Sequence, residues 1–325
     1  MTHPVETALE LAARARDSLD RCALRAQLRG DPMIGTAFPA ARVLLVEQPG
    51  PWGRGGLRQS RFDPAVASRL EADLGRRGVR VVAIRRPGRT PPGQRRRWGF
   101  ADCRPGRERL VWGSFGADAE LLDVDPDAVA GAADPAPAYF VCAHSKHDTC
   151  CALRGRPVAA ALTEVRPGRA WECSHLGGER FAANVLVLPL GQLYGRVLPF
   201  AAAEFAAAAD AGEVVPALLR GRIGLVAAAQ TALAFAHGQL ALVHAADVTV
   251  RGVRVLDDHQ AVVRLATSHG LMDVTVESEV RPAHRLTCDG ATAAPFVAYR
   301  AVGVAVVPAA THQSGTGVPG DRAAN

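Results

Sequence analysis

Four of the chain's seven cysteines crowd between Cys142 and Cys173, where the sequence reads C-A-H-S-K-H-D-T-C-C from Cys142 and W-E-C-S-H-L-G-G-E-R-F-A-A-N from Trp171. Thiols and imidazoles gathered in this way suit a metal or redox centre better than a secreted disulfide framework, and an odd cysteine total points the same way. Cys142 is placed at the end of a strand, with Cys150 and Cys151 at the mouth of the following helix. The positive end of that helix, with His144, Lys146 and His147 nearby, favours thiolates. Cys173 and His175 are two apart on an expected strand and so share a face, and Gly177 with Gly178 lets the backbone turn tightly beside them. Cys22, Cys103 and Cys288 read as buried bystanders, Cys150 as a packing residue of the helix start, and His144 and His147 as donors to the ligands or solvated loop residues.

Strand–helix–strand units must position these residues. Helical apolar spacing runs from Glu6 to Leu28 and is broken by Gly30, Pro32, Gly35 and Pro39, giving an N-terminal helix and linker over 1–40. A first unit, 41–133, has buried strands at Ala41 to Val46 and Val79 to Ile84, a helix opened by Asp63 and Pro64, and a hairpin of Trp98 to Cys103 with Arg109 to Phe115. The order recurs in 134–243. A strand at Tyr139 to Ala143, a helix opened by Arg156 and Pro157, a strand at Ala170 to His175, and a hairpin of Val185 to Leu188 with Leu193 to Val197 follow one another. Placing Glu47 on Cys142 puts Gly56 on Cys151 and Pro64 near Pro157, so two tandem copies of one unit are expected, only the second with metal-type ligands. Alanine-rich helices are expected at Phe200 to Ala211 and Gly221 to His237, the latter buried. A small β-rich C-terminal domain, 244–311, is read from alternating valines at Val248 to Val255, Val262 to Leu265 and Val274 to Val276; 312–325 reads as a disordered tail.

The two cysteine-bearing segments resemble the sucrase/ferredoxin-like family through C-x8-C from Cys142 to Cys151 with Asp148 inside, H-L-G-G-x-R-F-A-x-N from His175, and the hairpin around Pro189 and Gly195. The resemblance implies an α/β fold with a thioredoxin-like ferredoxin unit holding a [2Fe-2S] cluster on two cysteines and an H-x3-H pair. By position these are Cys142, Cys151, His175 and Glu179. Glu179 stands where the second histidine falls, and a carboxylate is a harder donor than clusters take. Cys173 is therefore the first choice for the fourth ligand, followed by Cys150 and then Glu179. A structural zinc site on the same residues is the main alternative, and a thiol oxidoreductase lacks the C-x-x-C pair expected on this fold.

Composition narrows the rest. With 325 residues, 48% of them hydrophobic, the chain can bury sizeable cores. A net charge of +6 comes from arginines scattered along the chain, Lys146 being the single lysine, which reads as composition and not as nucleic-acid recognition. The basic run from Arg85 to Arg97, interleaved with Pro87, Pro91, Pro92 and Gly93, reads as a solvated loop, with a docking surface for an acidic redox partner as the alternative. No signal-peptide or membrane-spanning stretch opens the chain, so a cytoplasmic protein that does not engage membranes is expected. No P-loop or Rossmann glycine fingerprint is present, and Asp148, Glu172 and Glu179 do not mark a glycosidase pair. The expected role is electron transfer or redox sensing with a separate partner such as a reductase, not catalysis on a substrate of the chain's own.

Overall fold

A computed structural model describes residues 20–88, 95–290 and 292–308. The hydrophobic runs R-V-L-L-V-E and A-Y-F-V-C, apolar on both faces, become the inner strands β1 (Arg42–Glu47) and β5 (Ala138–Cys142) of one mixed sheet. β1 runs parallel to β2 (Val79–Arg85) through the crossover helix α2 (Pro64–Arg76), which follows the short N-terminal α1 (Cys22–Leu28). Asp63 caps α2 by accepting from the N–H groups of Ala65 and Val66, and Pro64 sits in the first turn, where its missing N–H costs nothing. An antiparallel hairpin, β3 (Arg96–Asp102) and β4 (Arg109–Phe115), pairs on the other side of β1.

The second half repeats that order. β5 runs parallel to β6 (Ala170–Cys173) through helix α3 (Thr149–Val165), and the hairpin β7 (Val185–Leu188) and β8 (Gln192–Tyr194) pairs on the far side of β5. The halves join antiparallel at β2 and β6, and β9 (Leu219–Arg222) extends the sheet to nine strands in the order β4-β3-β1-β2-β6-β5-β7-β8-β9. Helices α4 (Ala202–Asp210) and α5 (Ala227–Gln239) follow in the chain. Ala229, Ala232 and Ala236 of α5 bury one face of a separate antiparallel sheet, β10 (Val248–Val255), β11 (Gln260–Thr267), β12 (Gly270–His284) and β13 (Ala294–Val306), through Val263, Leu265, Val274 and Val276. The fourth of these strands has no counterpart among the valine runs read from the sequence.

Three sequence expectations are corrected. The helix expected to open at Arg156 and Pro157 opens at Thr149 and carries Pro157 inside it, because Asp148 caps it earlier and the buried face already begins at Cys150. The strand expected to reach His175 stops at Cys173; the Ser174 N–H crosses to the Ala83 carbonyl at 2.8 Å, and the Ala83 N–H returns to the Ser174 hydroxyl at 3.1 Å. The helix expected from Gly221 begins at Ala227, since Gly221 and Arg222 belong to the strand paired with β8. The expected helix before residue 20, the middle of the basic run and the tail 312–325 lie outside the described residues. Among the described residues no helix is long and apolar enough to cross a membrane.

Candidate metal centre

Cys142 ends β5 and Cys151 stands in the first turn of α3, so both thiols meet where strand hands over to helix. Gly155 permits this approach: any Cβ there would collide with the Cys142 carbonyl. The sulfurs of Cys142 and Cys151 and a ring nitrogen of His175 lie within 4.8 Å of one another. His175 also belongs to a second set, in which its other partners are His147 and Glu179, again with donor atoms within 4.8 Å. Five donors therefore form one array with His175 shared between its thiol end and its imidazole–carboxylate end. The rings of His147 and His175 stack at 3.6 Å, and Glu179 lies 3.5 Å from Nε2 of His147 and 3.7 Å from Nε2 of His175. A cleft of about 410 Å³ opens over His144, His147 and His175, with Arg54, Arg58 and Arg80 on its walls.

The loop that presents His175 is held from three directions. Gly177 and Gly178 both take positive φ, and a side chain on Gly178 would run into the Arg220 guanidinium. That buried guanidinium donates to Gly177 O (2.8 Å), Asn184 Oδ1 (2.9 Å), Thr36 O (2.8 Å) and Thr36 Oγ1 (3.0 Å), while Asn184 Nδ2 donates to Gly178 O at 2.9 Å. Arg80 of β2 donates to the His175 carbonyl at 2.7 Å. The third hold is His144, whose Nε2 lies 2.8 Å from Gly53 O and whose Nδ1 accepts the His175 N–H at 3.3 Å. Both nitrogens are thereby occupied in the neutral tautomer protonated at Nε2, and His144 positions His175 without being a donor to a metal.

The electrostatics favour anionic donors. The Cys142 thiol is held well below its ordinary value because Cys151 donates to it, with His175 and the Leu176 N–H helping and burial opposing; Cys151 is raised by the same contact. Burial raises the Glu179 carboxyl, but His147 and His175 outweigh it and bring the group to about 2. Contact with Glu179 raises His147, whereas burial lowers His144. Among the described residues, buried Nδ1 of His175 has no hydrogen-bond partner. An unsatisfied buried nitrogen on a ring grouped with two thiols fits a metal-ligating role, because coordination would supply the missing interaction.

A family model described as sucrase/ferredoxin-like matches residues 33–221. The chain belongs to the sucrase/ferredoxin-like family. All five donors of the array lie within the stretch that family covers. No curated protein and no solved structure matches the chain.

Within this family member the sequence-derived donors divide. Cys142, Cys151 and His175 come together, and Glu179 joins through His175. Cys173, the first choice for a fourth ligand, is fully buried in the core with Cys142 beside it in register, but its thiol does not join either set, and burial pushes it well above its ordinary value. The same-face argument fails for it because the strand ends before His175. Cys150 turns to a different group, with Cys22, Cys288 and Asp148. His147 is the donor that sequence reasoning left undecided; its signal was a histidine four residues before Cys151 in the same short loop. Glu172 accepts from Arg85 at 2.7 Å and joins neither donor set.

Proposed function

We propose that the chain is an electron-transfer or redox-sensing protein that holds a [2Fe-2S] cluster on Cys142, Cys151, His175 and His147. The grouping of a His175 ring nitrogen with the Cys142 and Cys151 thiols, on a residue whose buried Nδ1 has no hydrogen-bond partner among the described residues, carries this reading. Two thiolates and two imidazoles form a mixed donor set known for binuclear iron–sulfur centres. His147 takes the fourth place because an imidazole is a softer donor than the Glu179 carboxylate, which instead contacts and orients both rings. When bound, such a cluster supplies one-electron exchange at a potential set by its ligands, hydrogen bonds and burial. The protein's part is to fix the rings through His144, Arg80 and Arg220 and to keep the thiols buried. The repeated strand order of the two halves supports reading each as a thioredoxin-like unit, the first without ligands, and the arginine-walled cleft over the histidines suits an acidic redox partner.

The compactness of the Cys142, Cys151 and His175 set, all within 4.8 Å, also suits a single tetrahedral ion and keeps zinc as the second reading. Anaerobic purification with iron, sulfide and zinc analysis separates the two. About two irons with acid-labile sulfide and visible absorption are expected per chain, lost in Cys142→Ser and Cys151→Ser and largely lost in His147→Ala, but retained in Cys173→Ser. Stoichiometric zinc without colour from iron-replete cells overturns the cluster; loss in Cys173→Ser with retention in His147→Ala overturns the ligand set.

A further inference from the structure

Cys22, Cys150 and Cys288 converge from three remote segments: the start of α1, the first turn of α3 and the connection between β12 and β13. Their sulfurs and a carboxylate oxygen of Asp148 lie within 4.8 Å of one another. Cys150 Sγ is 3.3 Å from Cys288 Sγ, Cys288 Sγ is 3.5 Å from Cys22 Sγ, and Cys22 Sγ is 3.7 Å from both Asp148 oxygens. We propose that these four residues form a second metal site, a structural tetrahedral zinc site of three thiolates and one carboxylate.

The distances fit one ion. Metal–sulfur bonds of about 2.3 Å in a tetrahedron hold sulfurs about 3.8 Å apart, and a carboxylate oxygen slightly closer. Sulfurs 3.3 and 3.5 Å apart suit one ion better than a multi-iron cluster, whose ligands sit on different metal atoms. A Cys150–Cys288 disulfide would leave Cys22 as a lone thiol facing a fully buried carboxylate. Asp148 is already oriented, because its two oxygens accept the N–H groups of Cys150 and Cys288, each at 2.7 Å, leaving a lone pair on each oxygen for the ion. Cys22 and Cys288 lie outside the stretch matched by the family model, so the site would tie this chain's flanking segments to the helix turn that carries Cys151. The ion would thus clamp α1 and the C-terminal sheet onto the redox helix without taking part in electron exchange.

The test separates this zinc from metal at the first site. Cys142→Ser/Cys151→Ser protein is expected to lose iron yet keep about one zinc per chain, and Cys22→Ser/Cys288→Ser protein to lose the zinc. A zinc-free Cys142→Ser/Cys151→Ser protein, or full zinc in the Cys22→Ser/Cys288→Ser protein, overturns the proposal. Should either variant fail to fold, the unmodified protein decides. Iodoacetamide is expected to label the part-exposed Cys288 only after a chelator is added, with buried Cys103 unlabelled throughout. Labelling that is the same with and without chelator, or a mass two hydrogens short on a joined Cys150–Cys288 peptide, overturns it.

Discussion

Replacing Arg220 with methionine tests whether the loop presenting His175 is held by one buried cation. The side chain is 1% exposed, and four of its five N–H groups go to Thr36 O, Thr36 Oγ1, Gly177 O and Asn184 Oδ1. Burial pulls the guanidinium down, to about 9, which leaves it charged at neutral pH. Hydrogen bonds to a charged group contribute about 1.5–3 kcal/mol each, and acceptors left buried without a donor cost about 1–3 kcal/mol. Methionine also removes the desolvation penalty of the buried charge, which offsets part of that sum. The net loss should therefore resemble the breaking of a buried charged network, about 3–5 kcal/mol. Arg220→Lys keeps the charge but cannot span Thr36, Gly177 and Asn184 at once, so it should fall between the two. Denaturant unfolding followed by tryptophan fluorescence measures the stability, and metal content measures the loop. A loss below about 1 kcal/mol with full metal retention would refute the strut.

Gly155→Ala should destabilise by about 1–3 kcal/mol, as overpacking does, although the same change on an exposed helix face is stabilising. The new Cβ would strike the Cys142 carbonyl, so a rise in unfolding free energy would show that α3 does not need this approach. His237 gives a pH signature away from the candidate metal donors. Burial lowers it, with the Leu242 carbonyl and the Asp247 charge partly opposing. Between the folded value and about 6.5 the unfolded chain binds a proton that the folded chain refuses, so this contribution is present above about pH 6.5 and is lost as pH falls. Unfolding titrations at about pH 7.5 and about pH 5.5 should differ less in His237→Gln than in the unmodified protein; an equal difference would remove His237 as the cause.

Much of the sheet was legible because its inner strands are unbroken apolar runs and its hairpins are bracketed by turn residues. The same pattern located Cys142 at a strand end, and the motif at His175 located the glycine turn. Periodicity failed where a side chain or a neighbouring strand decides the boundary. Asp148 opens α3 well before Pro157, and the hydrogen bonds between Ser174 and Ala83 end β6 before His175. The separation of Cys173 from the candidate donors was hidden for a different reason, since a two-residue spacing argues for a shared face only while the strand continues. Cys22 and Cys288 looked like bystanders because each is alone in its own segment; they are separated by 266 residues and meet only after both ends of the chain have folded onto α3.

The half without donors still shapes the site. β1 ends at Glu47 where β5 ends at Cys142, and the loop after β1 turns back through Gly53 and Gly56 instead of contributing a thiol. The Gly53 carbonyl fixes one nitrogen of His144, so the other is free to accept from the His175 backbone. Arg80, on the strand that joins the halves, reaches the carbonyl of the same residue. His175 is therefore gripped at both its N–H and its C=O by groups that depend on the first half, while its ring faces donors supplied by the second. A second half cut loose would keep every candidate ligand and lose the contacts that aim the imidazole. That dependence gives a physical reason for the two halves to share one continuous sheet through β2 and β6 and not be linked as separate beads.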